Sequence, residues 1–220
     1  QLKEADGMFA EAQSIYPAYE LDIEPERERA WALAFNEGIE AYGEGDVEAA
    51  IDAWSRACVI FDLRPDAHRN LGVLLAGEGR YDEAVEVYER ALAGLERRPA
   101  RRVLSDAEVL DRERARIEIE EDAAELLLYS GRFAEAEPLI RAQIERDPEN
   151  VNLKNDLATV LTGQEKYAEA ADIYSTLLST QVLETAQLFN IGVSLFRSGD
   201  FVGAGEAFER LTGLQPSSRD

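Results

Sequence analysis

The stretch GRFAEA at residues 131–136 decides the fold, because the sequence contains five versions of it. The other versions are GDVEAA at 45–50, GRYDEA at 79–84, EKYAEA at 165–170 and GDFVGA at 199–204. The final alanine recurs after 34 residues from 50 to 84, from 136 to 170 and from 170 to 204. The step from 84 to 136 is 52 residues, which is the same period plus 18 inserted residues. A fixed period of this length predicts a repeat architecture.

Each version of the hexapeptide predicts a tight turn between two amphipathic helices. Its first glycine supplies the permissive backbone that ends one helix, and Pro148 and Pro216 stop the second helix twelve residues after the alanine. Small residues recur in the first helix as Gly38, Gly72 and Gly192, where they let facing helices approach closely. One helix pair cannot bury its apolar face alone, so we expect the pairs to stack into an all-α solenoid.

This pattern resembles the tetratricopeptide repeat family. The resemblance rests on the G-x-[YF]-x-E-A motif, on an N-x-G motif in the first helix, and on an aromatic or aliphatic residue four positions after the repeated alanine. It implies a right-handed superhelical solenoid of antiparallel helix pairs that occupies residues 1–220 as one domain. The units that it implies are residues 31–64, 65–98, 117–150, 151–184 and 185–218.

Two places depart from five regular units. Residues 1–24 resemble an incomplete sixth unit, because GMFAEA at 7–12 matches the start of a second helix. Glu165 stands where the other turns have glycine.

The insertion at 99–116 is expected to lengthen the first helix of the third unit. Ser105 followed by Glu108 is a capping-box signature, and nothing breaks the helix after it, so we expect about three extra turns of 3.6 residues. Seven arginines and four acids lie between Arg97 and Arg116. We interpret this run either as a solvated helix face or as a docking surface for an acidic partner or for the acidic flank of another copy of the chain.

The charge and the hydropathy exclude two classes of function. The chain has 23 Lys and Arg against 45 Asp and Glu, a net charge of −22. Such a charge repels a phosphate backbone, which argues against nucleic-acid binding. No apolar run approaches the length of about 18 residues that a membrane-spanning helix requires, so we do not expect an integral membrane protein.

The sequence offers few groups for chemistry. Cys58 is the single cysteine and His68 the single histidine, so an internal disulfide and a cysteine zinc cluster are impossible. We expect Cys58 to be a small buried hydrophobe and His68 to pack against a neighbouring helix. The G-x-G strings at 43–45 and 77–79 fall at repeat turns rather than after strands. We therefore predict no enzyme activity, no cofactor and no metal site.

The resemblance also implies a ligand groove, because the first helix of each unit lines the concave surface in this family. Asn36, Asn70 and Asn190 match the asparagines that hold the backbone of an extended peptide in family members. The candidate groove residues are Phe35, Asn36, Ile39, Tyr42, Arg69, Asn70, Val73, Glu121, Glu125, Leu128, Asn155, Phe189, Asn190, Val193 and Phe196.

Charge in the third unit bears on the ligand. Glu118, Glu121, Asp122 and Glu125 fall on one helix face, which either is simply solvated or attracts a basic segment. Family members that bind the C-terminal carboxylate of a chaperone use Lys and Arg at places that hold Ala32, Glu118 and Asp122 here. These acids argue against a carboxylate ligand.

The leading hypothesis is a non-enzymatic scaffold that holds a segment of a partner protein, basic or apolar, in its concave groove. The alternative is a carrier for an apolar small molecule such as a lipid, because several groove candidates are aromatic or aliphatic. The use of 20 arginines against 3 lysines suggests a GC-rich bacterial genome. The chain starts with Gln1 rather than Met, which favours an exported, lipid-anchored protein of the periplasm or outer membrane over a cytoplasmic one.

Overall fold

The computed structural model describes residues 8, 11, 15, 16, 20–61, 63–96, 104–180 and 183–214. These ranges form helices and contain no β-strand, which confirms the all-α prediction. The half-unit predicted at 1–24 lies largely outside them, as do Pro216 and the arginines of 97–103. The helices are α1 (Glu20–Glu44), α2 (Val47–Ile60), α3 (Pro65–Gly77), α4 (Tyr81–Glu96), α5 (Asp106–Tyr129), α6 (Phe133–Arg146), α7 (Val151–Gly163), α8 (Tyr167–Thr180), α9 (Thr185–Ser198) and α10 (Phe201–Leu214).

The chain divides into two compact units, residues 1–126 and 127–220. The first contains α1 to α4 and most of α5, and the second contains the last turn of α5 and α6 to α10. The pairs α1/α2 and α3/α4 lie in the first unit, and α7/α8 and α9/α10 lie in the second. Two or three residues connect the helices of each of these pairs, which makes the helices antiparallel neighbours.

A residue with left-handed backbone forms the turn inside each helix pair. In the turn before α10, Gly199 donates its N–H to the carbonyl of Phe196 at 3.2 Å, and Asp200 donates to Leu195 at 2.9 Å. These two bonds satisfy carbonyls that the helix end would leave free. The glycines with positive φ at these turns are Gly45 (80°), Gly79 (75°), Gly131 (74°) and Gly199 (91°).

Glu165 adopts the same turn without being glycine. Its φ is 61°, its N–H donates to Thr162 at 3.0 Å, and Lys166 donates to Leu161 at 2.8 Å. The hydrogen bonds of the repeat therefore hold a glutamate in a conformation that its Cβ disfavours.

We expect Glu165→Gly to raise the free energy of unfolding by about 0.5–1 kcal/mol. Relief of the left-handed backbone at a non-glycine residue is worth about 1–2 kcal/mol, and the greater freedom of glycine in the unfolded chain offsets part of it. Urea denaturation of both proteins measures the change. The reciprocal variant Gly199→Ala should lose stability at the equivalent turn, and a destabilised Glu165→Gly would contradict the explanation.

The core of three helix pairs forms where a glycine of the first helix faces an aromatic ring of the second. A Cβ placed on Gly72 would lie 2.4 Å from Cε1 of Tyr88, closer than two carbon atoms can approach. Tyr88 is only 2% exposed. The facing pairs are Gly38 with Trp54, Gly72 with Tyr88 and Gly192 with Phe208. The small residue and the aromatic of the repeat are therefore complementary parts of one contact.

Two first helices are longer than the repeat requires. α5 has 24 residues and α1 has 25, whereas α3 has 13. Both long helices begin 11 residues before the predicted start of their unit, at Glu20 against 31 and at Asp106 against 117. The capping box before α5 is present, since the N–H of Ser105 donates to Glu108 at 2.9 Å and the N–H of Glu108 donates to the Ser105 hydroxyl at 3.3 Å.

Glu137 connects helices in the second unit through charge rather than apolar packing. Its carboxylate accepts hydrogen bonds from Lys166 at 2.8 Å, from Gln164 at 2.7 Å and from Arg141 at 2.8 Å. The Lys166 and Gln164 donors lower the pKa of Glu137 from its usual 4.5 to about 2. The Glu137 side chain is only 15% exposed, whereas its partners Arg141 and Lys166 are 45% and 40% exposed, so a largely buried carboxylate joins α6 to the α7–α8 turn through cations at the surface.

Candidate ligand-binding surface

The predicted groove residues divide between the two compact units. The first unit carries Phe35, Asn36, Ile39 and Tyr42 on α1, Arg69, Asn70 and Val73 on α3, and Glu121 and Glu125 on α5. The second carries Leu128 in the last turn of α5, Asn155 on α7, and Phe189, Asn190, Val193 and Phe196 on α9.

Several large apolar side chains on the first helices are exposed. The exposed fractions lie between 49% and 58%. Lone exposed hydrophobics are common on protein surfaces, but two pairs of these share a repeat position, and Asn36 and Asn190 beside them are also exposed. They are Ile39, Tyr42, Val73, Phe189 and Phe196.

Other groove candidates take part in the packing of the helices. Phe35 is half-buried and stacks on Trp31, with ring centroids 4.7 Å apart and an angle of 13° between the planes. Leu128 and Val193 are also half-buried. Phe35 therefore belongs mainly to the edge of the apolar cluster around Trp31.

Arg69 joins α3 to α5 inside the first unit. It donates to Asp122 at 2.7 Å and to Glu118 at 2.6 Å, and the hydrogen bond to Asp122 raises the pKa of the guanidinium. Two of the four acids on the predicted acidic face are therefore paired within the protein. The other two, Glu121 and Glu125, are exposed.

The sequence contained a signal for this ion pair. Arg69 and Glu121 occupy equivalent positions of the second and third units, because Glu121 follows Arg69 by one 34-residue period plus the 18 inserted residues. Glu118 lies one helical turn before Glu121 and Asp122 directly after it, so equivalent positions on stacked helices would place both acids beside the arginine.

Some partly buried polar side chains of α7 have hydrogen-bond partners, and one amide oxygen does not. The Thr159 hydroxyl lies 3.3 Å from the Tyr174 hydroxyl, and the Thr162 hydroxyl lies 2.7 Å from that of Ser194. Asn155 is half-buried, yet its Oδ1 accepts no hydrogen bond from any residue in the described ranges. Buried acceptors are normally paired, so Asn155 is a candidate ligand-binding amide.

The single histidine and cysteine contribute to packing. His68 is 2% exposed, as predicted, with Nδ1 3.4 Å from the carbonyl oxygen of Arg64. Cys58 is half-buried and packs against the cluster around Trp31. Across the described ranges, no three His, Cys, Asp or Glu side chains are grouped so as to hold a metal ion. No described helix combines the length and apolar character needed to cross a bilayer.

Comparison with known protein families agrees with the repeated helix pairs of the structure. The tetratricopeptide repeat profile matches residues 35–101, 121–182 and 157–219. None of the curated proteins matches the sequence significantly. The chain belongs to the tetratricopeptide repeat family.

Solved structures of this family share the fold. MamA from Desulfovibrio magneticus RS-1 is 18% identical with a TM-score of 0.62, over 87% of this chain and 98% of that one. MamA of strain AMB-1 is 18% identical with a TM-score of 0.62, over 87% and 95%. YrrB, described as a TPR protein with an unusual peptide-binding site, is 15% identical with a TM-score of 0.64, over 91% and 94%. The predicted solenoid class is therefore confirmed.

Proposed function

We propose that the protein is a non-enzymatic scaffold that binds an extended segment of a partner protein along its first helices. The observation that carries the proposal is the exposed pattern on α9, where Phe189 and Phe196 accompany Asn190. Aromatic side chains supply apolar contact area, and an amide can both donate to and accept from a peptide backbone. Tetratricopeptide repeat proteins are generally scaffolds, and YrrB is a family member with a peptide-binding site.

Asn155 supports the same proposal from a second position. A half-buried amide oxygen without a partner loses the hydrogen bonds it would have made to water. A backbone N–H of a bound peptide would restore one of them. Because Thr159 and Thr162 already have partners, Asn155 is the better ligand contact on α7.

We expect Asn190→Ala and Phe196→Ala each to weaken peptide binding about tenfold, as the loss of one hydrogen bond or one apolar anchor predicts. The probes are octapeptides selected on the wild-type protein from a random phage library, and Kd is measured by fluorescence anisotropy. Val202→Ala is the matched control, because Val202 is apolar and exposed but lies on α10.

The same variants separate peptide from lipid. The exposed Ile39, Tyr42 and Val73 favour an apolar cargo as the second candidate. A lipid offers no paired donors and acceptors, so Phe196→Ala would then matter and Asn190→Ala would not. Native mass spectrometry would detect a co-purifying lipid. A library that yields no binding peptide, or peptides that bind all variants equally, would contradict the scaffold proposal.

A further inference from the structure

A cleft of about 690 Å³ lies in the first unit, at the N-terminal ends of α1, α3 and α5. Its volume is within the range of 300–1,000 Å³ that is usual for ligand pockets. None of the candidate groove residues lines it. Its lining is Glu24, Pro25 and Glu28 of α1, Phe61, Leu63 and Arg64 of the turn before α3, Pro65 and Asp66 of α3, Leu104, and Glu108, Asp111, Arg112, Arg114, Ala115 and Glu118 of α5.

The cleft exists because of the two long helices. α3 begins at Pro65, the first position of its repeat, whereas α1 and α5 each begin 11 residues before theirs, at Glu20 and Asp106. Their extra turns form opposite walls, and the turn between α2 and α3 forms the floor. All of the lining residues on α1, and all but Glu118 on α5, lie in the turns that precede the predicted start of the unit.

The walls and the floor are held by contacts that need no ligand. Arg64 donates to Glu28 at 2.9 Å, and its guanidinium lies 4.5 Å from the centroid of the Trp31 ring. Arg112 donates to the carbonyls of Gly94 and Leu95 at 3.2 Å and 2.6 Å, which fastens the extension of α5 to the end of α4. A preformed cleft loses little entropy when it binds a ligand.

The lining combines negative charge with apolar surface. Six of the lining residues are Asp or Glu, and three are Arg. Leu63, Leu104 and Ala115 are apolar and half-buried. The excess of acids disfavours an anion, and the charged rim disfavours a purely apolar ligand. A second copy of this chain, with its charge of −22, would be repelled.

We propose that this cleft binds a short segment of a partner protein in which lysine or arginine alternates with aliphatic residues. The aliphatic side chains contact Leu63, Leu104 and Ala115. A lysine or arginine of the segment pairs with the exposed carboxylate of Asp111, where it replaces the contact that Arg114 makes at 3.6 Å. None of the groove residues that carry the proposed function lines this cleft. An experiment can therefore disprove binding in the cleft without disproving binding in the groove, and the reverse.

The test uses the full chain and a labelled six-residue peptide of alternating leucine and lysine, blocked at both ends. Asp111→Asn should weaken binding about fivefold, as the loss of one ion pair predicts. Ala115→Trp, which fills the cleft, should weaken it at least about tenfold. Glu113→Gln is the matched control, because Glu113 is an exposed acid of α5 that does not line the cleft.

Two further measurements keep the test decisive. If Ala115→Trp lowers the melting temperature, the variant Leu104→Lys is used instead. Leu104 lies before the first residue of α5, so this change leaves the helix intact, and the new positive charge would repel the lysines of the peptide. Peptides of alternating serine and lysine, or leucine and glutamate, should bind much more weakly. Equal weakening by Asp111→Asn and Glu113→Gln would show general attraction to an acidic chain and would overturn the proposal. Binding of the phage-selected octapeptides should be unchanged in all cleft variants.

Discussion

Gly72→Ala is expected to lower the free energy of unfolding by about 1–3 kcal/mol through overpacking, although alanine is the better helix former by about 1 kcal/mol. The new Cβ would lie 2.4 Å and 2.6 Å from Cε1 and Cζ of Tyr88. Tyr88 is only 2% exposed. Either the ring leaves its position or α3 and α4 move apart, and both lose buried contacts.

Gly77→Ala is the matched control for this prediction. Gly77 lies in the same helix, and a Cβ there would have no neighbour within 4 Å. The variant should therefore gain about 0.5–1 kcal/mol from helix propensity. Urea denaturation at pH 7 compares the two variants with the wild type. Changes of the same sign would show that propensity, and not the contact with Tyr88, decides the cost at position 72.

Glu137→Gln is expected to remove a large part of the acid sensitivity of the second unit. The pKa of Glu137 is lowered to about 2 in the folded protein, from 4.5, so folding favours the ionised carboxylate. Its stabilisation is fully present above pH 4.5 and is lost as the pH falls from about 4.5 to about 2. The shift corresponds to at most about 3 kcal/mol. At pH 7 the glutamine variant should be less stable by about 1–3 kcal/mol, because it loses charge-assisted hydrogen bonds.

Other carboxylates also titrate between pH 2 and 5, so the comparison must isolate one of them. Glu169→Gln is a suitable control, because Glu169 contacts the same Arg141 at 3.5 Å but is 60% exposed. The difference in unfolding free energy between wild type and variant should shrink at low pH for Glu137→Gln and stay near zero for Glu169→Gln. A difference for Glu137→Gln that does not depend on pH would show that shape rather than charge matters at this site.

The fold was predictable from the sequence because the repeat encodes backbone geometry. A left-handed turn favours glycine, and a close helix contact needs a small residue opposite an aromatic one, so residues such as Gly79 and the Gly72–Tyr88 pair recur at the period of the repeat. Glu165 shows the limit of this reasoning. The hydrogen bonds of its turn keep the left-handed backbone even where the residue type does not favour it.

The charged contacts were harder to predict. The pairing of Arg69 with Glu118 and Asp122 depends on how α5 aligns with α3 across an 18-residue insertion. Glu137 follows the repeated alanine at a position that is Ile51 or Val85 in earlier units, and two of its three donors come from a turn in the next repeat. Single-sequence patterns identify the helix faces, but they do not identify which side chains on neighbouring faces meet.

The uniform turn also bears on how the gene can change. The turns at 45, 79, 131, 165 and 199 share one left-handed backbone, so recombination between equivalent codons would join a first helix of one repeat to a second helix of another without altering the backbone at the junction. Whole units of 34 codons can then be lost or duplicated in a single event. The length of such a protein then changes in steps of one helix pair. The 18-residue insertion, most of which forms the first turns of α5, is not a multiple of the period, so an exchange between turns does not account for it.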